Sequence, residues 1–485
     1  MDLSRRSFMI GAASVVITPD LSWAAQALAV ASDWSLATAD VEADLAPRAM
    51  RLMRGRAPEG LSGSLYRNGP AKFRRPGGSA THWFDGDGLV RRFRIADGQA
   101  SLAARFADTP KRRQEARLGA MVMPGFGTTV DPRAEISGPD DANAANTSVL
   151  PIGDKIWALW ESGSPMAMHE ETLESEGFVT FRADLRAMPF SAHPRIEPDG
   201  RIWNLGMSGA RAIVWRLSPA GALEDAQLID LPRASYVHDF TATERHLVIV
   251  LQPWIRKRHV FPLATSYDWR PEIGTQVLII DKADLSRRRI AELPPFGFFH
   301  LGDAWEEADG TIRFDVSAYP DMSFAASGAS DLLRGVYGGG GRSELVLAVL
   351  PARGPGRLER PGVAAEFPRS HERLAGLPRR YSVHTAGETE GRPMATGVGV
   401  TDWRDGRTRM FDFGPDYVVD EMVPVAKPGS SAEDHAWLIG PTINLKAGVT
   451  ELHVFDFAHV EDGPIATWVT DIALPASFHG RWKGA

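Results

Sequence analysis

The chain has 485 residues, of which 44% are hydrophobic, 24% charged and 9% aromatic, an ordinary globular composition that excludes long disordered, coiled-coil or collagen-like segments. Its 54 basic and 61 acidic residues leave a net charge of −7, and no Lys/Arg run exceeds a few residues, so nucleic acid is not an expected partner. The absence of cysteine removes disulfides, Cys-type zinc sites, iron–sulfur clusters and thiol catalysis.

Residues 1–27 read as an export signal. Ser4-Arg5-Arg6-Ser7-Phe8-Met9 is followed by an uncharged stretch to Pro19 and then by Ala25-Gln26-Ala27, the order of basic region, short apolar region and small-residue cleavage pattern. The apolar region is about half the ~20 residues that span a bilayer, and the arginine pair before Ser-Phe points to the twin-arginine route. The expected destination is the periplasm, with the export machinery as a partner. No other apolar run reaches membrane length.

Residues 28–485 read as one all-β domain. Lys155–Trp160, Leu247–Leu251, Gln276–Ile280 and Leu345–Leu350 are short apolar runs rich in Val, Ile and Trp. Turn signals separate them at Pro198-Asp199-Gly200, Asp309-Gly310, Pro355-Gly356 and Lys446-Ala447-Gly448. The best helix candidates are Asp108–Gly119 and the polar stretch His169–Gly177, both as loop insertions. Some 450 residues of short strands without a Pro/Ser-rich linker favour one closed architecture. A β-propeller of about seven blades fits the length, although no WD or kelch repeat is present.

With cysteine absent, the chemistry falls to histidines and carboxylates. His193, His238 and His300 each precede a strand by nine to twelve residues, so each can occupy an equivalent place in its own blade. Equivalent inner positions of a propeller converge on the axis, where a metal can bind; His479, near the C-terminus, can return there on a closing strand. Spacing alone leaves ordinary core or turn histidines open, because no local His-x₃-His signal is present. Gly338–Gly341 lacks the Lys-Ser/Thr of a phosphate loop, and Asp85-Gly86-Asp87-Gly88 lacks the spaced ligands of an EF-hand; Asp85 and Asp87 read as turn formers. His82 reads as structural.

An ordered set of motifs resembles the carotenoid cleavage oxygenases, a family that includes carotenoid and apocarotenoid oxygenases, lignostilbene dioxygenases and the retinal-pigment-epithelium isomerase. The set opens with Gly63–Pro70 and His82–Gly88. It continues through Ala145-Asn146-Thr147, Ala158–Glu161, Ala192-His193-Pro194, Val237–Phe240, Phe299-His300 with Ala304–Glu307, Glu366-Phe367-Pro368, Glu433-Asp434 and Phe478-His479-Gly480. The resemblance covers essentially everything after the signal. It implies a seven-bladed β-propeller with a loop and helical cap, holding Fe(2+) on its axis through His193, His238, His300 and His479. It also implies that Glu161, Glu366 and Glu433 accept hydrogen bonds from the distal ring N–H of three of those histidines, fixing tautomer and basicity. Thr147 matches a position whose methyl group crowds one open iron site.

The implied reaction is oxidative cleavage of a C=C bond by O2 into two carbonyl products, in an apolar tunnel that selects the bond. Lignostilbene dioxygenases carry a Lys just before Ala-Asn-Thr, whereas Ser137–Ala144 here contains none. That departure favours a carotenoid or apocarotenoid-like apolar alkene over a phenolic stilbene, and such a substrate implies peripheral membrane contact for its access. Leu301-Gly302-Asp303 also departs, where relatives often have an Asn before Ala304. An isomerase on the same four-histidine iron and a non-catalytic exported propeller are the alternatives from other classes.

Overall fold

Leu247-Val248-Ile249-Val250-Leu251 shows how these apolar runs become stacked sheets. Its strand spans His246–Leu251, and Val248 and Val250 join one buried cluster while Leu247, Ile249 and Leu251 join another. The neighbouring strand Thr275–Asp281 divides the same way, Val277 and Ile279 to one side and Leu278 and Ile280 to the other. Successive side chains of a strand face opposite ways, so a continuous apolar run marks a sheet covered on both faces. Each such side chain contributes about 1.5–3 kcal/mol by burial. The clusters on the two sides include residues of the preceding and following sheets. Face-to-face stacking of consecutive sheets therefore builds the core.

The computed structural model describes residues 34–336, 342–387 and 393–485. The export signal read in residues 1–27 and the Gly338–Gly341 run lie outside the described residues. Five consecutive antiparallel sheets follow the chain. The first comprises Ser148–Ile152, Lys155–Leu159, Met166–His169 and Ser175–Phe178, and the second Arg195–Ile196, Ile202–Ser208, Arg211–Leu217 and Leu223–Asp230. The third comprises Thr241–Ala242, His246–Leu251, Thr275–Asp281 and Arg288–Leu293. The fourth runs from Gly297–Leu301 to Arg357–Glu359, and the fifth from Glu366–Arg369 to Arg407–Asp412. A ten-stranded sheet takes both chain ends. Within it Leu45–Gly55 pairs with Ala466–Val469 on one side and Gln99–Phe106 on the other, and His479–Gly484 pairs with Gly63–Lys72, His479 opposite Asn68. N- and C-terminal strands thus close an all-β, propeller-like ring.

The strands and turns expected from Lys155, Leu247, Gln276 and Leu345 onward lie where the sequence places them. So does the helix, which spans Pro110–Leu118: Thr109 accepts the Arg112 amide, Pro110 opens the first turn and Gly119 closes it at φ 62°. His169–Gly177, expected as a helix, is instead the turn of a hairpin, with Ser175 opposite Met168 and Phe178 opposite Met166. The buried Met166 and Met168 flank the half-exposed Ala167, and this period-two pattern selects strand over helix.

Candidate metal centre

The first strands of three sheets, and the last strand of the chain, deliver the four histidines. His193 and His238 lie just before the edge strands Arg195–Ile196 and Thr241–Ala242; His300 is in the edge strand Gly297–Leu301, and His479 opens the edge strand His479–Gly484. One nitrogen from each ring lies within 4.8 Å of all the others. The Nε2 atoms of His193 and His238 are 3.0 Å apart, and those of His300 and His479 are 3.1 Å apart. Two nitrogens bound at right angles to one ion at ~2.1 Å stand roughly 3.0 Å apart, so the donor set fits a metal ion. Burial and the neighbouring rings push His193 well below the usual imidazole range. Burial pushes His479 down to about 3, against the opposing effect of Glu421. Both rings are therefore neutral at pH 7, the form that ligates metals.

Carboxylates stand behind three rings. Glu161 Oε2 lies 2.9 Å from His238 Nδ1, and Glu366 Oε2 lies 2.7 Å from His300 Nδ1. The third carboxylate is Glu421, whose Oε1 lies 3.1 Å from His479 Nδ1. Glu433, expected in that place, accepts the backbone amides of Arg380 and Tyr381 at 2.8 and 2.9 Å and holds its loop to the start of the strand Tyr381–Ala386. The expectation for Glu433 is thus corrected to Glu421. In sequence, Glu433 follows the turn residues Pro428-Gly429-Ser430-Ser431 and Glu421 lies two residues before the strand Val423–Ala426.

Several further residues complete this second layer. The Tyr236 hydroxyl donates to Glu161 at 2.9 Å and the Tyr319 hydroxyl to Glu366 at 2.6 Å. Burial, with the Glu161 charge adding to it, raises the Tyr236 phenol well above its usual range, so it remains a donor. Glu421 instead takes Arg67 Nη1 at 3.0 Å and the Gly480 amide at 2.8 Å. Burial opposes the charge on Glu421, but Arg369, His479 and Arg67 outweigh it and hold the carboxyl far below the usual range. Arg67 also bonds Ser477 and the Phe478 carbonyl, so it clamps the segment that carries His479. Phe367, at φ 55°, sits against His300 and His479 with ring centroids 4.8 and 5.2 Å away. A left-handed non-glycine residue costs about 1–3 kcal/mol, a strain placed beside the cluster.

His238, His300 and His479 line a cavity of about 1030 Å³ with Phe84, Phe126, Phe299 and Phe478, at the upper end of the ~300–1,000 Å³ of ligand pockets. Thr147 lies on the same wall, its hydroxyl bonded to Asn146 at 3.1 Å. His82 is buried and structural: Nε2 bonds the Ala325 carbonyl and Nδ1 accepts the Phe84 amide. Asp85 accepts the amides of Phe126, Gly127 and Thr128, while Asp87 pairs with Lys111 and Arg75. In the departing Leu301-Gly302-Asp303 stretch, Asp303 pairs with Arg195 at 3.1 Å and bonds Ser370.

A closed propeller-like ring with four convergent histidines, three of them backed by carboxylates, defines a recognisable class of protein. Residues 38–484 match the family described as retinal pigment epithelial membrane protein, and the chain belongs to that family. It is 27% identical to the apocarotenoid-15,15'-oxygenase of a Synechocystis species, over 89% of this chain and 92% of that one. It is 26% identical to lignostilbene-alpha,beta-dioxygenase isozyme III of Sphingomonas paucimobilis, over 89% and 93% of the two chains. The solved structure of a Glu-to-Gln mutant of the Synechocystis apocarotenoid oxygenase superposes with a TM-score of 0.85 at 24% identity, over 94% of this chain and 99% of that one. A cobalt-substituted form of that oxygenase superposes with a TM-score of 0.83.

Proposed function

We propose that the protein is an iron(II)-dependent oxygenase that cleaves one C=C bond of a carotenoid or apocarotenoid-like apolar alkene with O2, giving two carbonyl products. The observation that carries this reading is the opening of His238, His300 and His479 onto a large aromatic cavity in a chain of this family. His193, His238, His300 and His479 would hold Fe(2+), which supplies the binding and activation of O2. The chain's own work is positional: Glu161, Glu366 and Glu421 orient three rings, the phenylalanines exclude water and align the alkene, and Thr147, on the cavity wall, would narrow one approach to a bound ion. A phenolic stilbene is less well served, because Lys111 on the cavity wall is bound to Asp87 and Glu115 at 2.8 and 2.7 Å.

The ten-stranded sheet reads as two blades fused through Leu45–Gly55, which brings the ring to seven blades in one domain. The helix Pro110–Leu118 and the segment 324–333 contribute Lys111 and Phe324 to the cavity, in keeping with a cap. Val130, Ile136, Met188, Leu228 and Phe261 are exposed apolar residues on the cavity lining, which supports contact with a lipid surface. Among the described residues no helix is long and apolar enough to cross a membrane. The Arg5-Arg6 pair supports export of folded, metal-loaded protein to the periplasm.

The test is anaerobic reconstitution with Fe(2+), then mass spectrometry of products from β-apocarotenals and hydroxystilbenes under ¹⁸O₂. Two shorter carbonyl products are expected with label from O2, and the His238→Ala protein should lose both bound iron and turnover. A product of unchanged mass would mark an isomerase. Full iron content and turnover in His238→Ala would overturn the centre.

A further inference from the structure

The charges on the wall of the large cavity are unevenly committed. Its carboxylates all have partners: Asp85 takes three backbone amides, Glu161 and Glu366 take histidine and tyrosine, and Asp420 takes the Ser477 amide at 2.9 Å. Lys111 is neutralised by Asp87 and Glu115. Arg211 and Arg256 also line the cavity, and neither has a carboxylate within 4 Å among the described residues. Among the described residues the only hydrogen bond of the Arg256 side chain is to the Arg258 carbonyl, 3.3 Å from Nε, and the rings near it are His259 and Tyr267.

These two arginines flank a single turn. Arg211 begins the strand Arg211–Leu217, opposite Ser208 across a hairpin that turns at Gly209 with φ 64°. Arg256 ends the strand Trp254–Arg256, and its Nη1 lies 3.3 Å from the position a Cβ on Gly209 would occupy. Glycine therefore leaves room for the guanidinium above the turn. Ser208 and Gly209 also face the cavity. On this lining Arg211, Leu228 and Phe261 are exposed, whereas Phe126, Phe299, which packs on His238, and Phe478, next to His479, are buried. The cavity thus runs from a cationic, partly apolar mouth to an aromatic inner end.

We infer that Arg211 and Arg256 receive the carboxylate head of an amphipathic alkene whose apolar chain extends toward the four histidines. A guanidinium binds a carboxylate through parallel charge-assisted hydrogen bonds, and the Ser208 hydroxyl adds a donor beside it. The substrate class proposed above narrows accordingly, from an apolar alkene to a polyene or aryl-alkene acid. This rests on the oxygenase reading for turnover, although the anion site itself does not require it.

The test compares two probes of matched chain, all-trans retinoic acid and all-trans retinol, by quenching of intrinsic tryptophan fluorescence in the iron-loaded protein. The wild type should bind the acid about tenfold more tightly than the alcohol. In the Arg211→Gln/Arg256→Gln protein, acid affinity should fall by about tenfold and the ratio approach one, with each single variant in between. Equal wild-type affinities for acid and alcohol overturn the inference, as does a ratio that survives the double substitution. Cosedimentation with phosphatidylglycerol vesicles separates the other source of anions. If the double variant loses vesicle binding while the acid/alcohol ratio stands, the arginines serve lipid headgroups and the inference fails. Turnover distinguishes the two readings: cleavage of neutral alkenes without acid preference sinks this inference alone, and acid-selective binding without any cleavage sinks the oxygenase reading alone.

Discussion

Glu421 lies 3.1 Å from His479 Nδ1 and 3.0 Å from Arg67 Nη1, so one buried carboxylate joins the C-terminal strand to an N-terminal one. Ring closure and ligand orientation are therefore coupled. Exchanging Glu421 for Gln keeps an acceptor for the ring but removes the charge that raises imidazole basicity. Metal affinity of Glu421→Gln should fall about 10–100-fold, read by chelator competition. Glu433→Gln should leave metal affinity unchanged and cost about 1 kcal/mol of stability through the two backbone amides it accepts, read by urea unfolding. Equal metal loss in both variants would return Glu433 to the centre.

Tyr236 and Tyr319 hold Glu161 and Glu366 from the cavity side. Replacing either by Phe preserves the ring packing and deletes only the hydroxyl. A hydrogen bond to a charged carboxylate contributes about 1.5–3 kcal/mol, so each variant should release metal at least about tenfold faster to excess chelator. Release rates identical to wild type would show that the carboxylates are oriented without the tyrosines.

His384 and His453 are fully buried away from the cluster and bonded to threonines. Burial pushes them down to about 4 and about 3 respectively, against ~6.5 in the unfolded chain. The unfolded chain therefore takes up these protons first as pH falls. Their contribution to stability is complete above about pH 6.5 and is lost progressively toward pH 4 and pH 3, by up to ~1.4 kcal/mol per pH unit for each group. The urea midpoint should drop between pH 7.5 and 5.0, and drop less in His453→Gln. Parallel drops in the two proteins would remove His453 from that account.

The Arg5-Arg6 pair gives the export reading its own test. An Arg5→Lys/Arg6→Lys protein should accumulate inside the cell as uncleaved, active enzyme, because the twin-arginine route carries folded cargo. On that route, folding before export would let the cell load Fe(2+) before the site meets zinc or copper, which bind nitrogen donors more tightly. Continued export and trimming near Ala27 would replace this signal with a general secretory one.

The sequence by itself determined the all-β class, because runs such as Leu247–Leu251 have a length and content that only a strand covered on both faces accommodates. It also determined His193, His238, His300 and His479 as candidates, since motif order survives without knowledge of distance. Local pattern failed where two readings share a composition. The polar His169–Gly177 stretch reads as helix until Ser175–Phe178 pairs with Met166–His169. The acidic pairs Asp420-Glu421 and Glu433-Asp434 are near mirror images in sequence, separated by only a dozen residues. Only closure of the ring, which seats His479 opposite Asn68 and beside Arg67, decides that Glu421 is the carboxylate in reach. The tyrosines behind Glu161 and Glu366, and the arginines at the cavity mouth, belong to the same category. Hydrogen bonds across 47 or 75 residues of chain leave no local periodicity to read, because what selects those partners is the three-dimensional approach of separate sheets.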